Sequence, residues 1–148
     1  MKFSKSFEIL LDTIFYMSSD TIQEKTPVRE IMSKSVISVD SSVTATDAAK
    51  MMEDTDVGAI AVLENGSPVG IITDRDFAIK ITAHSYPIDT PIRRIMSTPL
   101  ISIDPDSDLW TASDLMSTRN VRKLPVIDDE KIIGIITSSD LVKHFASL

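Results

Sequence analysis

The chain has no cysteine, which removes disulfides, thiolate zinc sites and cysteine nucleophiles from consideration. Its only imidazoles, His84 and His144, read as helix-end or loop residues rather than a metal pair, so no metal site is expected. Positive charge is in deficit: 15 Lys and Arg stand against 22 Asp and Glu, for a net charge of −7 and a pI near 4.7. That argues against a general nucleic-acid binder, which needs a basic face for phosphates. No apolar run approaches the ~20 residues of a membrane span. The start, Met1-Lys2-Phe3-Ser4-Lys5, is basic, but Glu8 and Asp12 interrupt the apolar stretch and no cleaved signal peptide is expected. A Walker-type glycine loop and a supported Ser/His/Asp order are also missing, so the chain is not expected to be an enzyme. What remains, with 43% hydrophobic and 25% charged residues, is the balance of a soluble globular protein, expected in the cytoplasm.

What the chain does have is a repeat. Residues 26–81 and 90–145 align without a gap at an offset of 64 (90 minus 26), and about a third of the paired positions are identical. Thr26-Pro27 matches Thr90-Pro91, Ile31-Met32-Ser33 matches Ile95-Met96-Ser97, and Ile37-Ser38-x-Asp40 matches Ile101-Ser102-x-Asp104. Further on, Gly70-Ile71-Ile72-Thr73-x-x-Asp76 matches Gly134-Ile135-Ile136-Thr137-x-x-Asp140. A duplicated unit of this size predicts two halves about a pseudo-twofold axis, with any cleft between them occurring twice.

Residues 1–25 lie outside the repeat. Phe3, Phe7, Leu10, Leu11, Ile14 and Phe15 recur at helical spacing and predict an amphipathic helix, followed by a polar linker over Ser18–Lys25. Its polar face carries acids as well as Lys2 and Lys5, which favours packing on its own domain or a partner over a membrane surface. The copies occupy 26–82 and 90–148, joined by a linker at 83–89. In each, a lead-in (Val28–Met32, Ile92–Met96) precedes a short alternating stretch (Val36–Val39, Leu100–Ile103). Asp40-Ser41-Ser42 and Asp104-Pro105-Asp106-Ser107 then signal helix starts. Helices carrying Ala48, Met51 and Met52, or Ala112, Leu115 and Met116, follow. Two strands come next, Ala59–Leu63 with Pro68–Thr73 and Lys123–Ile127 with Ile132–Thr137, before closing helices near Asp74 and Ser138. The fold class is α/β (α+β), as β-α-β-β-α twice. One sheet face of each unit needs covering.

The Gly-Ile-Ile-Thr-x-x-Asp junction is the sharpest local signal. Glycine near a strand end admits close approach by another group. The Thr hydroxyl and free amides of a helix start offer donors, and Asp one turn on can accept two hydrogen bonds from a vicinal diol. The same residues also make an N-cap with a favourable helix dipole. A single copy reads as a cap; equivalent placement in two copies points toward a ligand site.

These motifs, in this order and twice, resemble CBS domains, and together a CBS pair (Bateman module). The residues carrying the likeness are Ile-Met-Ser before the first strand, Val121-Arg122-Lys123-Leu124-Pro125-Val126-Ile127-Asp128, and the two Gly-Ile-Ile-Thr-x-x-Asp junctions. The resemblance implies regulatory binding of AMP, or of ADP, ATP or S-adenosylmethionine, with no cofactor required. It assigns Thr73, Arg75 and Asp76 with Pro99, Leu100, Ile101, Arg122 and Lys123 to one cleft. To the other it assigns Thr137, Ser139 and Asp140 with Ser35, Val36, Ile37, Gly58 and Ala59. Arg75, Arg122 and Lys123 suit a phosphate, whereas Ser139, Gly58 and Ala59 at the matching places offer no cation. The nucleotide is therefore expected mainly at the Asp76 cleft. The resemblance also implies a homodimer; a ligand favours one arrangement only by differential affinity, and with no catalytic domain expected the readout falls to an unidentified protein partner or to the dimer itself. A ligand-free dimerisation scaffold is the alternative, and RNA binding a distant third.

Overall fold

The computed structural model describes residues 5–20 and 25–148. Helix α1 (Lys5–Asp20) runs beyond the expected ~15 residues and into the stretch read as linker. Phe3 and residues 21–24 of the expected helix and linker lie outside the described residues. The burial of α1 follows its sequence: Leu11 is buried, Phe7 and Leu10 are half-buried, and Glu8, Ile9, Asp12 and Thr13 are exposed. Positions i, i+3 and i+4 thus form the inward stripe, which packs on α5 (Leu109–Arg119).

The chain divides into two compact units whose borders cross those of the repeat. One unit comprises residues 34–101 with 129–133; the other takes the chain up to Ser33, residues 102–128 and 134–148. Each unit therefore holds most of one sequence copy and the lead-in of the other.

In the first of these units, β1 (Ser38–Asp40), β2 (Ala59–Glu64) and β3 (Ser67–Thr73) form a sheet in the order β1-β2-β3. Strand β1 pairs parallel to β2 at Ser38–Ala61, Val39–Val62 and Asp40–Leu63, and β2 pairs antiparallel to β3. The hairpin turns at Asn65-Gly66, with φ of 52° and 80°, as an Asn-Gly turn of this length requires. Helix α3 (Ala45–Thr55) packs against β2, and its core consists of Val39, Ala45, Ala48, Ile60, Val62 and Ile72. Ile92 and Ile95, from the lead-in of the second copy, complete that core with no exposed surface. The segment read as a linker is tied down too: Ile88 C=O accepts from Thr46 N–H at 3.0 Å, and Thr90 C=O accepts from Ala45 N–H at 2.8 Å. These carbonyls satisfy amides that the first turn of α3 leaves unpaired.

The other unit repeats the plan with α5, β4 (Lys123–Asp128), β5 (Lys131–Thr137) and α6 (Ser138–Ala146). The expected strand over Leu100–Ile103 contracts to one parallel bridge, Ile103–Val126. Pro125 supplies the reason. At the matching place Ala61 donates its N–H to Ile37 C=O at 2.9 Å, and proline has no N–H to give. The helix starts also differ from expectation. The caps are Thr44 and Asp108, while Asp40 and Asp104 fold back on Ser42 and Asp106 two residues on. Here α2 (Val28–Ile31), the first copy's lead-in, packs on α6, and Val28 is fully buried.

Candidate functional site

Each strand-to-helix junction is built by three local devices. The first is a capping box, in which Thr73 N–H donates to Asp76 Oδ2 at 2.9 Å and Thr137 N–H donates to Asp140 Oδ2 at 2.8 Å. The second is the glycine. A Cβ at Gly70 would stand 2.8 Å from Met96 Sδ and 3.0 Å from the Ser97 carbonyl oxygen. At Gly134 it would meet Met32 Sδ at 2.5 Å and the Ser33 carbonyl at 2.8 Å. The close approach read from sequence is therefore made by the lead-in itself. The third device is a bridge: Ser97 exchanges backbone hydrogen bonds with Ile71, and Ser33 does so with Ile135. Each lead-in and its Gly-Ile-Ile-Thr-x-x-Asp junction are thus two halves of one closure, Ile92 and Ile95 or Val28 filling the core, Met lying on Gly, and Ser pairing with the strand.

Sequence reading missed one partner. Ser97 Oγ donates to Asp76 Oδ1 at 2.9 Å, so both oxygens of that carboxylate are engaged, and Asp76 is only 8% exposed. The signal was the serine ending Ile-Met-Ser in both copies, but nothing in the spacing says that it reaches the other copy's aspartate. A carboxylate accepts about four hydrogen bonds. With Thr73 N–H, the Thr73 hydroxyl at 3.3 Å and Ser97 Oγ already on Asp76, a diol would add one bond and displace the longest. Downstream the copies part. The short helix α4 (Asp74–Asp76) leads into a π-helix over Phe77–Ala83, whereas α6 stays α-helical to Ala146.

The remaining candidate residues sit as follows. The unit of 34–101 holds Thr73, Arg75 and Asp76 with Pro99, Leu100 and Ile101, and also Ser35, Val36, Ile37, Gly58 and Ala59. Thr98–Pro99 is a cis peptide; Leu100 and Ile101 are half-buried, Arg75 is exposed, and Ala59 is buried at the start of β2. Val36 and Ile37 lie just ahead of β1 rather than in it. The other unit holds Thr137, Ser139 and Asp140 with Arg122 and Lys123, the residues at the start of β4. There Ser138 N–H donates to Arg122 C=O at 2.9 Å, which ties the start of β4 to the junction.

Two shifted ionisations accompany the helix starts. Hydrogen bonds from the Ser42 hydroxyl and N–H hold the Asp40 carboxyl below its ordinary value. Asp106, at 2.9 Å, raises the already high value of Arg29. Both groups are exposed and neither belongs to a candidate cleft. A groove of about 290 Å³ runs between α3 and the π-helix, lined by Ala45, Thr46, Ala49, Lys50, Glu53, Phe77, Ile81 and Ile88. It contains none of the residues expected to meet a ligand. Among the described residues no cluster of acidic or imidazole groups could hold a metal, and no helix is long and apolar enough to cross a membrane.

Comparison with known proteins matches the CBS domain family model twice, over residues 28–82 and 92–147. The CBS domain-containing protein YhcV of Bacillus subtilis is 39% identical over 114 residues, covering 77% of this chain and 81% of YhcV. Protein MK0525 of Methanopyrus kandleri is 35% identical across 78% of this chain, which spans only 61% of that longer protein. Among solved structures, the CBS domain pair of protein MJ0100 superposes with a TM-score of 0.74 at 31% identity. The match covers 81% of this chain and 99% of that one, whose structure is a complex with 5′-methylthioadenosine and S-adenosyl-L-methionine.

Proposed function

The chain belongs to the CBS domain family, and from that premise we propose that it is a regulatory module that binds an adenine nucleotide, AMP or a close relative, rather than an enzyme. The observation that supports this most is the likeness to a CBS pair solved with two adenosine compounds, taken with the Thr-x-x-Asp carboxylates present twice in this chain. In this reading Asp76 accepts the ribose diol and Thr73 borders it. Pro99, Leu100 and Ile101 flank the adenine, and Arg75, Arg122 and Lys123 take the phosphate. The set around Asp140 (Thr137, Ser139, Ser35, Val36, Ile37, Gly58 and Ala59) brings no cation and is the weaker nucleotide site, suited to an uncharged adenosine compound. Ligand binding then shifts whichever arrangement it favours, and a protein partner or a second copy of the chain reads the change.

Calorimetry with AMP, ADP, ATP, 5′-methylthioadenosine and S-adenosylmethionine tests the reading. AMP is expected to bind, and Asp76→Ala is expected to weaken it at least tenfold, about the 1.4 kcal/mol of a charge-assisted hydrogen bond. A larger loss from Asp140→Ala would reverse the site assignment, and no binding by any adenosine compound would favour the scaffold. The groove beside α3, with Ile88 65% exposed, supports self-association as a homodimer. Sedimentation velocity showing a monomer at micromolar concentration would overturn that part.

A further inference from the structure

Asp76 is buried, and its carboxylate is held from two segments of the chain. Thr73, at the same junction, donates its N–H to Oδ2 at 2.9 Å and its hydroxyl to the same oxygen at 3.3 Å. Ser97, from the lead-in of the other copy, donates Oγ to Oδ1 at 2.9 Å. The terminal torsion of an aspartate is broad and roughly two-fold, so a carboxylate held at one oxygen still turns. Bonds to both oxygens from separate segments fix the plane of this one. Ser97 is itself fixed by its backbone, its N–H donating to Ile71 C=O at 2.8 Å and its C=O accepting from Ile71 N–H at 3.4 Å. That bridge already ties the lead-in to β3, so closing the sheet does not call for the side-chain bond. What the bond adds is direction. Pro99, Leu100 and Ile101 follow directly after Thr98, in the same compact unit as Asp76.

We infer that Ser97 is a positioning residue for diol recognition, acting through Asp76. A carboxylate offers about four acceptor positions. Thr73 takes both on Oδ2 and Ser97 takes one on Oδ1, which leaves one open position on Oδ1. One ribose hydroxyl enters that position, and the other replaces the Thr73 hydroxyl, the longest of the three bonds. Ser97 keeps the two receiving oxygens in the plane they need, so the ribose does not have to order them on binding. The inference rests on the nucleotide reading above and adds a specificity determinant that the lead-in of one copy supplies to the aspartate of the other. Ser97 strengthens binding of adenosine compounds that carry a free 2′,3′-diol. It has no effect on those without one, because its backbone bridge holds the adenine edge whatever the side chain.

The test is calorimetry on the full chain with AMP and with 2′,3′-dideoxy-AMP, ligand-observed NMR covering the weaker complexes. The proteins are the wild type, Ser97→Thr, Ser97→Cys and Ser97→Ala. Ser97→Ala is expected to weaken AMP about three- to tenfold, the range of one hydrogen bond, and to leave the dideoxy form unchanged. Ser97→Thr keeps the hydroxyl and should hold AMP affinity at the wild-type level. Ser97→Cys, with its weak thiol donor, should fall between them, and it carries the test if the alanine variant folds poorly. An equal loss for both nucleotides, or no loss for AMP, overturns the inference while leaving the nucleotide reading in place. A wild type that binds AMP no better than its dideoxy form, or binds neither, overturns both.

Discussion

The two units use the same parts list, and they differ in how strictly each part is kept. Both retain the closure: Ile92 and Ile95 in one and Val28 in the other are fully buried, a methionine lies on each strand glycine, and each junction carries a capping box. Between those fixed points the copies drift. A parallel strand in one becomes a single bridge in the other at Pro125, and a π-helix faces an α-helix after the junction. The hairpin turn Asn65-Gly66 becomes Asp129-Glu130. Arg75 gives way to Ser139, and Gly58-Ala59 to Arg122-Lys123. What the duplication preserved is how a lead-in closes a sheet, while the residues we propose to choose a ligand were free to diverge.

The sharpest way to break this comparison is to empty the closure. Ile92→Ala removes a fully buried side chain from a core whose other buried members, Ile95 apart, come from the first copy. It should cost about 2–5 kcal/mol in urea unfolding. Hydrogen exchange should show protection lost first in residues 34–101. Loss confined to residues 102–148 would mean that the sequence copies, and not the crossed units, are the cooperative bodies. Next in size are the glycines. Gly134→Ala should destabilise by about 1–3 kcal/mol and more than Gly70→Ala, because the added carbon meets both methionine sulfur and serine carbonyl at shorter range. The methionine can swing aside, but the carbonyl is held by its bridge to Ile135, so equal melting temperatures for the two variants would contradict the account. The smallest effect belongs to the turns. Asp129 and Glu130 adopt φ of 48° and 64°, where their counterparts are Asn and Gly. Glu130→Gly should stabilise the chain by about 0.5–1 kcal/mol by relieving left-handed strain, seen as a higher melting temperature. A lower one would show that the Glu130 side chain compensates for the strain.

Much of this architecture was legible in the sequence. The order β-α-β-β-α in the first copy and α-β-β-α in the second, the four hairpin strands and both closing helix starts lie within a few residues of where periodicity and turn residues put them. The strand over Leu100–Ile103 was overestimated because alternation in one segment says nothing of a proline in its neighbour. The caps moved from Asp40 and Asp104 to Thr44 and Asp108 because an aspartate can equally close a turn on itself. The bond from Ser97 to Asp76 and the approach of Arg122 to the Phe7 ring, 5.5 Å from its centre, were not legible at all. Both join segments far apart in the chain, and a repeat states that two copies are alike without stating which piece of one serves the other. The asymmetry of the cations, by contrast, could be read directly by overlaying the copies, since it needs only residue identity.

The crossed lead-ins carry a consequence for how such a chain could arise and how it can be divided. A polypeptide with a single copy would possess a sheet and the piece that closes a sheet, but would deliver that piece to another molecule. Two such molecules would complete each other by reciprocal exchange, an association that weakens on dilution. Joining the copies in tandem turns that encounter into an intramolecular one, with an effective concentration set by the short connecting segment instead of by the cell. Cleaving the chain at residues 83–89 should return it to the older condition: two fragments, each missing its closing piece, that fold well only when mixed.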